Sequence, residues 1–416
     1  MRDMIRRFLL DAGLAMASAL LLAGCSKVDF AMDAGDYFGA PDAMVERDGG
    51  GAADVAPGGE GSGSGGNTSA GVVTAGEWRD LDHWSFWSSL MLGDFAEKAE
   101  YWKCYPDNLV AVHATEEGGK PWIGAEVVLS RNGKAVWTAK TDNKGYAWCW
   151  VSPFQSLKEV TAEELTYTVG GFTAYGHPEL STWNSQADVK MNEFQKMTAD
   201  AQPIISDETD IAFIVDATGS MGDEIDFLKD DLVDILAKAA AKAPAGRTLR
   251  TASVFYRDEG DQYVTRVSDF KKDYKETVDF IKQQRADGGG DYPEAVHTAL
   301  ATALQKLSWG EQSRMRVAFL LLDAPAHHTD EVIASLQKSV EMFARLGIRI
   351  VPIAASGADK NTEFMLRFFD ILTGGTYTFL TNDSGVGGDH IAASVGEYQV
   401  EQLNDLIVRL IASYLE

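Results

Sequence analysis

The chain has 416 residues, enough for two or three domains, and its 45% hydrophobic and 24% charged residues exclude disorder of the whole chain. Its 37 basic and 62 acidic residues give a formal net charge of −25, so the basic surface of a nucleic-acid-binding protein is missing and cations or basic partners are expected. Three cysteines are too few for a disulfide-built scaffold, and no Cys/His spacing is typical of a zinc site. Any metal is therefore expected to be held by oxygen.

Residues 1–24 have the composition of an export signal, with a basic start and an apolar run at 14–22 that is too short to span a bilayer. The Leu-Ala-Gly-Cys motif that ends at Cys25 resembles the lipobox of bacterial lipoproteins. The resemblance implies cleavage before Cys25, a lipid on its thiol and, because Ser26 follows, sorting to the outer membrane of a bacterial cell envelope. An ordinary signal peptide or a short anchor with an incidental cysteine is the alternative.

Residues 25–76 lack sustained apolar periodicity, and half of the residues from 49 to 66 are glycine. This composition cannot form a core and predicts a flexible linker. A flexible coil of this length reaches on the order of 40 Å, which would let the folded part stand away from a membrane surface.

Residues 77–104 are rich in aromatic side chains. Apolar residues at spacings of mostly three, from Leu81 through Trp84 and Trp87 to Met91, predict a short amphipathic helix. We expect these rings to cover the core of the next domain. The alternative is an aromatic strip that binds carbohydrate.

Residues 105–195 contain short alternating segments separated by turn signals, of which Asn132-Gly133 is the strongest hairpin mark. About six strands in this length predict a small β-sandwich. The run from Gly124 to Ala147 also resembles the carboxypeptidase-regulatory-like, transthyretin-like domains of exported bacterial proteins, which implies a spacer or a binding module. The predicted strands cover residues 109–114, 125–130, 135–141, 146–151, 165–169 and 187–191.

Cys104 and Cys149 are the two cysteines that remain after Cys25. Two cysteines in one small region of an exported protein can form a disulfide. The sequence does not give their separation, so a disulfide and two free thiols are both left open.

Residues 207–416 alternate between predicted strands and helices. Residues 211–215 and 317–322 are unbroken apolar runs, and only Arg349 interrupts the run at 348–353, so all three fit central strands of a parallel sheet. Helical periodicity predicts six helices around them. The expected fold class is α/β, a doubly wound, mainly parallel, Rossmann-like sheet preceded by the small β-sandwich domain.

Oxygen-bearing side chains follow the predicted strands of this domain. Asp216, Thr218 and Ser220 alternate in a strand-to-helix turn, Asp291 ends a glycine loop before another helix, and Asp323 ends a strand. Ligands of open α/β sheets bind beyond the carboxyl ends of the strands. These segments are therefore predicted to meet around a hard cation, which prefers oxygen ligands.

These motifs resemble the metal-ion-dependent adhesion site (MIDAS) of the von Willebrand factor A (vWA) family, in which Asp-x-Ser-x-Ser, a threonine and a final aspartate hold the ion. The resemblance implies that Asp216, Thr218, Ser220, Asp291 and Asp323 bind Mg²⁺, or else Mn²⁺ or Ca²⁺. An aspartate where the family usually has threonine adds negative charge, which favours the cation and reduces what a ligand carboxylate gains. The alternative for Asp291 is a helix cap paired with Glu294.

Other candidates are less specific. His327 and His328 could line the site or bind a transition metal, or lie in a solvated loop before a helix that starts near Thr329. Asp383 and Asp389 either border the metal face or are solvated. The glycine loop lacks the lysine of a P-loop and no dinucleotide fingerprint is present, so no nucleotide is expected.

Taken together, the sequence predicts a cell-envelope lipoprotein, held to the membrane by its lipid anchor only, that binds a protein partner through the metal face of a vWA domain. No catalysed reaction is expected, and the anchor leaves open whether the protein faces the periplasm or the cell surface. The alternative is a metal-dependent hydrolase, or a subunit of an envelope enzyme assembly, with His327 or His328 as the general base. A third hypothesis assigns glycan binding to the aromatic region.

Overall fold

The computed structural model describes residues 73–157, 159–174, 176–182, 195–199, 205–382 and 390–416. The predicted signal peptide, Cys25 and the linker up to residue 72 lie outside the described residues. The predicted strand at 187–191, Asp383 and Asp389 lie outside them as well.

The first part of the chain forms short strands and two short helices. In chain order these are β1 (Thr74–Trp78), α1 (Trp84–Met91), α2 (Ala96–Trp102), β2 (Leu109–Glu116), β3 (Glu126–Arg131), β4 (Lys134–Lys140), β5 (Tyr146–Trp150), β6 (Leu165–Val169), β7 (Phe172–Thr173) and β8 (Gln195–Ala199).

The second part of the chain alternates between strands and longer helices. These are β9 (Glu208–Asp216), α3 (Gly222–Lys242), β10 (Thr248–Tyr256), β11 (Thr265–Lys271), α4 (Tyr274–Lys282), α5 (Val296–Lys306), β12 (Met315–Leu322), α6 (Asp330–Leu346), β13 (Ile348–Ala354), α7 (Lys360–Thr373), β14 (Tyr377–Leu380), β15 (Glu401–Gln402) and α8 (Leu403–Leu415).

One eight-stranded sheet has the order β11-β10-β9-β12-β13-β14-β1-β15. The five strands from β10 to β14 in this order are parallel, and the other three pair antiparallel at its edges. Buried side chains of α3, α4 and α8 pack on one face, and those of α5, α6 and α7 pack on the other. The predicted doubly wound, mainly parallel sheet and its six helices are confirmed.

Strands β9 and β12 lie side by side, and their parallel neighbours extend in opposite directions from them. A crevice forms beyond the carboxyl ends of the strands where the strand order reverses in this way. Asp216 is the last residue of β9, and Asp323 directly follows β12. The fold therefore places two predicted metal ligands at the sheet's expected ligand-binding edge.

The large sheet begins earlier in the chain than predicted. β1 pairs antiparallel with β14, with Ala75 opposite Leu380, and Val73 before it is buried. The predicted linker therefore extends too far at its end, because the chain enters the sheet at Thr74. A five-residue strand whose partner lies some 300 residues away carries little signal of its own.

The aromatic segment forms two helices rather than one, since Gly93 lies in the turn between them and glycine is a poor helix former. Its four tryptophans are buried, as expected for rings that cover a core, and Trp87 stacks with Phe364 of α7 at 6.1 Å between ring centroids. The four tryptophan rings are therefore closed to a glycan, whereas Tyr101 of the same segment is exposed.

The β region between α2 and β9 contains a three-stranded sheet, β5-β2-β8, and a four-stranded sheet, β4-β3-β6-β7. The predicted hairpin at Asn132-Gly133 joins β3 and β4. Val112 and Leu129, one from each sheet, belong to the same buried apolar cluster as Phe364 of α7. The β region is thus inserted between two strands of the large sheet and shares its core.

Cys104 and Cys149 are free and fully buried, so no disulfide joins them. Both thiols belong to the apolar cluster shared by the β region and the large sheet. A free cysteine packs there as a small hydrophobic side chain. Within the described ranges, none of the helices combines the length and the apolar character needed to cross a bilayer.

Candidate functional site

The turn after β9 brings three oxygen-bearing side chains together. Asp216 is fully buried, and its Oδ1 accepts hydrogen bonds from the Thr218 backbone N at 2.9 Å and the Thr218 hydroxyl at 2.7 Å. The Ser220 hydroxyl lies 3.5 Å from the Thr218 hydroxyl. The predicted convergence of these three residues is observed.

Asp323 approaches the same turn from the end of β12. Its side chain is buried, and this burial is the main reason why the pKa of its carboxyl is raised. A hydrogen bond from Ser220 lowers the pKa and the charge of Glu224 raises it, both by less than burial does. The negative charge of Asp323 in turn raises the pKa of Asp216. Two of the three predicted motifs therefore meet.

The glycine loop lies against the turn after β9. The Gly219 N donates to the Gly288 carbonyl at 3.1 Å, and the Asp287 N donates to the Ala217 carbonyl at 3.1 Å. Gly288 has φ +78°, and a Cβ there would lie 2.5 Å from the carboxylate oxygens of Asp261. Only glycine fits this position, because both its conformation and its space exclude a side chain.

Asp261 holds the glycine loop from the other side. Its Oδ2 accepts hydrogen bonds from the Gly289 N at 3.0 Å and from the Asp258 N at 3.2 Å. One carboxylate oxygen thus joins the loop after β10 to the loop that carries Asp291. Asp261 is not among the predicted site residues, because its role depends on two segments that are distant in the chain.

Asp291 lies at the mouth of the pocket with an exposed side chain. The alternative interpretation of Asp291 as a helix cap is wrong, because α5 begins at Val296 and Ala295 occupies its N-cap position. Glu294, taken in that interpretation as its partner, is instead buried in the pocket wall. Its sequence position next to an apolar helical run gave no sign of this.

The site forms a pocket of about 720 Å³ at the carboxyl end of the sheet. Tyr292 lies at the rim of the pocket. Its hydroxyl oxygen is 3.3 Å from the backbone carbonyl oxygen of Asp323 and 3.2 Å from that of Gly357. The lining residues are Thr218, Gly219, Ser220, Gly288, Gly289, Gly290, Asp291, Tyr292, Glu294, Asp323, Ala324, Ser356 and Gly357.

Carboxyl groups are concentrated in this pocket, and several of them are buried away from water. Burial, followed by the charge of Asp323, raises the pKa of Asp216 to about 7. Burial, followed by the charges of Asp216 and of three further carboxylates, raises the pKa of Glu294 to about 9. A cation would relieve this repulsion, because an opposite charge nearby favours the ionised carboxylates.

The donor set fits a hard divalent cation. Asp216 Oδ2 and Asp323 Oδ1 are buried and have no hydrogen-bond partner among the described residues, and the hydroxyls of Thr218 and Ser220 lie beside them. The buried Tyr256 hydroxyl also lies near Asp216 and lowers the pKa of its carboxyl, against the larger effect of burial. No three His, Cys, Asp or Glu side chains in the described ranges are close enough to hold a metal by themselves. This set does not need three such side chains, since two of its ligands would be hydroxyls and Mg²⁺ keeps several waters.

The two histidines contact residues that do not line the pocket. His327 Nε2 lies 2.6 Å from Asp258 Oδ1, while His328 stacks on Tyr101 of α2 at 3.5 Å between ring centroids. Thr329 is the N-cap of α6 and accepts a hydrogen bond from the Val332 N. The predicted helix start is confirmed, and neither histidine is among the residues that line the pocket.

Residues 210–346 match the family model described as von Willebrand factor A domain. This part of the chain is a vWA domain. The match begins in β9 and ends with α6, so it contains the Asp216 turn, the glycine loop and Asp323.

Two curated relatives resemble parts of the chain. A putative ariadne-like RING finger protein of Acanthamoeba polyphaga mimivirus is 32% identical over 120 residues, and the alpha-protein kinase vwkA of Dictyostelium discoideum is 34% identical over 143 residues. These alignments cover 29% and 34% of this chain but only 11% and 22% of the relatives. The chain therefore spans less than a quarter of the length of either relative.

Two solved structures resemble parts of this chain with low TM-scores and low sequence identity. Proximal thread matrix protein 1 from the mussel byssus gives a TM-score of 0.32 at 16% identity, over 51% of this chain and 46% of its own. A von Willebrand factor type A protein from Catenulispora acidiphila gives 0.33 at 13% identity, over 75% of this chain and 50% of its own. The vWA assignment rests on the family match.

Proposed function

We propose that this protein binds a protein partner through a divalent cation, Mg²⁺ in the first place, held by Asp216, Thr218, Ser220 and Asp323 of its vWA domain. The observation that carries the proposal is the pair of buried, unpartnered carboxylate oxygens of Asp216 and Asp323 beside two hydroxyls. Such oxygens are costly to bury unless something binds them. Mn²⁺ and Ca²⁺ also accept this donor set.

A macromolecular partner suits the exposure of the pocket. vWA domains mediate protein–protein interactions, and Tyr292 on the pocket rim is 44% exposed. The carboxylates around the pocket make it more negative than a site with threonine at the position of Asp291. A partner that presents basic groups around its contact with the ion therefore fits better than a strongly acidic one.

The location of the protein is proposed from its N-terminal sequence. Cleavage before Cys25 and lipidation of this residue would make it an outer-membrane lipoprotein with no other membrane contact, facing the periplasm or the cell surface. The β region, proposed as a carboxypeptidase-regulatory-like module, shares a buried core with the large sheet.

Binding is favoured over catalysis by the position of His327. This residue, the first candidate for a general base, contacts Asp258 through Nε2 and is not among the pocket-lining residues. A base must reach the reacting proton directly or through one water. We therefore assign the metal face to recognition.

The proposal is tested by affinity capture from envelope extracts with the protein as bait, in Mg²⁺ and in EDTA. A partner should be retained in Mg²⁺, released by EDTA and absent from Asp216→Ala bait. The matched control is Asp226→Ala, which removes an exposed aspartate of α3 that forms a surface ion pair with Lys229. Capture that is insensitive to EDTA and to Asp216→Ala would refute a cation-dependent interaction.

A further inference from the structure

Glu294 is fixed where the glycine loop meets the end of β12. Its backbone N donates to the Pro325 carbonyl at 2.9 Å, and it forms an isolated parallel bridge with Ala326. Its residue surface is 3% exposed. The backbone on both sides of the pocket therefore determines where this side chain lies.

The carboxylate of Glu294 lies beside Thr218. A Cβ placed on Gly289 would be 3.0 Å from Glu294 Oε1 and 3.2 Å from Thr218 Cβ, so a single glycine separates the two side chains. Glu294 Oε2 is buried, and none of the residues that the structure describes forms a hydrogen bond with it. The buried carboxylate of Glu294 therefore lies across Gly289 from Thr218, one of the residues that we assign to the cation.

The surroundings of Glu294 oppose a purely structural role. The charged groups that most affect it are all carboxylates, from Asp216, Asp258, Asp323 and Asp261. A carboxyl group buried among carboxylates must either stay protonated or be balanced by a cation. Asp291, in contrast, is exposed at the pocket mouth, where water can solvate its charge.

We propose that Glu294, rather than Asp291, is the acidic residue of this segment that holds the cation, through the waters of its hydration shell. This inference rests on the cation site of the proposed function and adds a residue to it. A water-mediated contact agrees with the finding that no three acidic side chains of the described ranges converge on one point. Mg²⁺ and similar ions commonly keep several waters in protein sites.

The test is calorimetric titration of Mn²⁺ into the purified protein and its variants. Glu294→Gln should weaken Mn²⁺ binding by about tenfold or more, since outer-shell partners of metals contribute factors of this size. Asp291→Asn should weaken it less than Glu294→Gln does. Asp287→Asn is the matched control on the same loop and should bind as wild type, because its exposed carboxylate pairs with Arg257 outside the pocket lining.

Circular dichroism in EDTA verifies that each variant folds. Glu294→Asp is a second variant, which keeps the charge but withdraws it from the ion and should also weaken binding. Wild-type affinity in either folded Glu294 variant, or a greater loss in Asp291→Asn, would overturn the inference. Asp216→Asn separates the two proposals: unchanged binding there would refute the cation site itself, whereas loss there with none at Glu294 would refute only the inference.

Discussion

The Arg367 guanidinium and the Asp80 carboxylate form a fully buried, two-pronged ion pair, with Nε–Oδ2 at 2.8 Å and Nη2–Oδ1 at 2.5 Å. Arg367 lies on α7, while Asp80 follows β1 in the first part of the chain. Arg367 also donates to Glu363 at 3.2 Å. This pair joins the aromatic segment, which precedes the β region in the chain, to a helix that packs on the large sheet.

We expect Asp80→Ala to lower the free energy of unfolding by about 3–5 kcal/mol, because it leaves Arg367 buried without its main partner. Urea denaturation measures this change. The control is Asp82→Ala, which removes an exposed carboxylate paired with Arg79 and should cost less than about 1 kcal/mol. Equal effects of the two substitutions would show that the segment is not held by the buried pair.

The raised pKa values of Asp216 and Glu294 predict opposite pH dependences for folding and for cation binding. The ordinary values are 3.8 and 4.5, and the folded values are about 7 and about 9. Between these limits the native state holds protons that the unfolded chain has released, so stability without cation should fall as pH rises. A cation must displace these protons, so its apparent affinity should rise with pH.

This prediction is checked by urea unfolding in EDTA at pH 5 and pH 8, together with Mg²⁺ titrations at both values. Stability should be lower at pH 8 in EDTA, and Mg²⁺ should restore part of it because a ligand of the native state stabilises it. Mg²⁺ affinity that is independent of pH would contradict the assignment of buried, protonated carboxylates to the site.

Removal of the Asp261 carboxylate should loosen the glycine loop and weaken the cation site. Asp261→Ala removes the oxygen that accepts from both the Gly289 N and the Asp258 N, so we expect a loss of about tenfold in Mn²⁺ affinity. Asp261→Asn can place a carbonyl oxygen at the same point and should retain most of the affinity. If both variants lose Mn²⁺ affinity equally, the charge of Asp261 matters and its positioning of the loop does not.

The thiols of Cys104 and Cys149 should be unreactive in the folded protein. Burial raises the pKa of both, that of Cys149 to about 12, and the reactive species is the thiolate. In a Cys25→Ser variant, Ellman's reagent should detect neither thiol before denaturation and both after it. A protein that shows no free thiol in denaturant would contain the disulfide that the structure lacks.

The sequence is most informative where one segment determines its own environment. The apolar runs that became β9, β12 and β13 identified the central strands, because burial on both faces requires continuous apolar residues. Oxygen-bearing residues at the ends of β9 and β12 then located the site, since parallel strands present their carboxyl ends at one edge.

The features that the sequence did not predict depend on distant partners. β1 is a strand only because β14 is beside it, and Cys104 and Cys149 are free because each packs into a core built from several segments. The local spacing of Glu294 predicts a cap partner, yet the hydrogen bond from its backbone N to Pro325, in the loop after β12, fixes it in the pocket wall. Local patterns cannot specify such contacts.

The central claim is that a divalent cation binds between the turn after β9 and Asp323. The most direct measurement is an anomalous-difference map from crystals of the protein grown with Mn²⁺. We predict one peak in the pocket next to the Ser220 and Thr218 hydroxyls and the Asp323 carboxylate, and its loss in crystals of Asp216→Ala. A map without a peak in this pocket at saturating Mn²⁺ would contradict the claim.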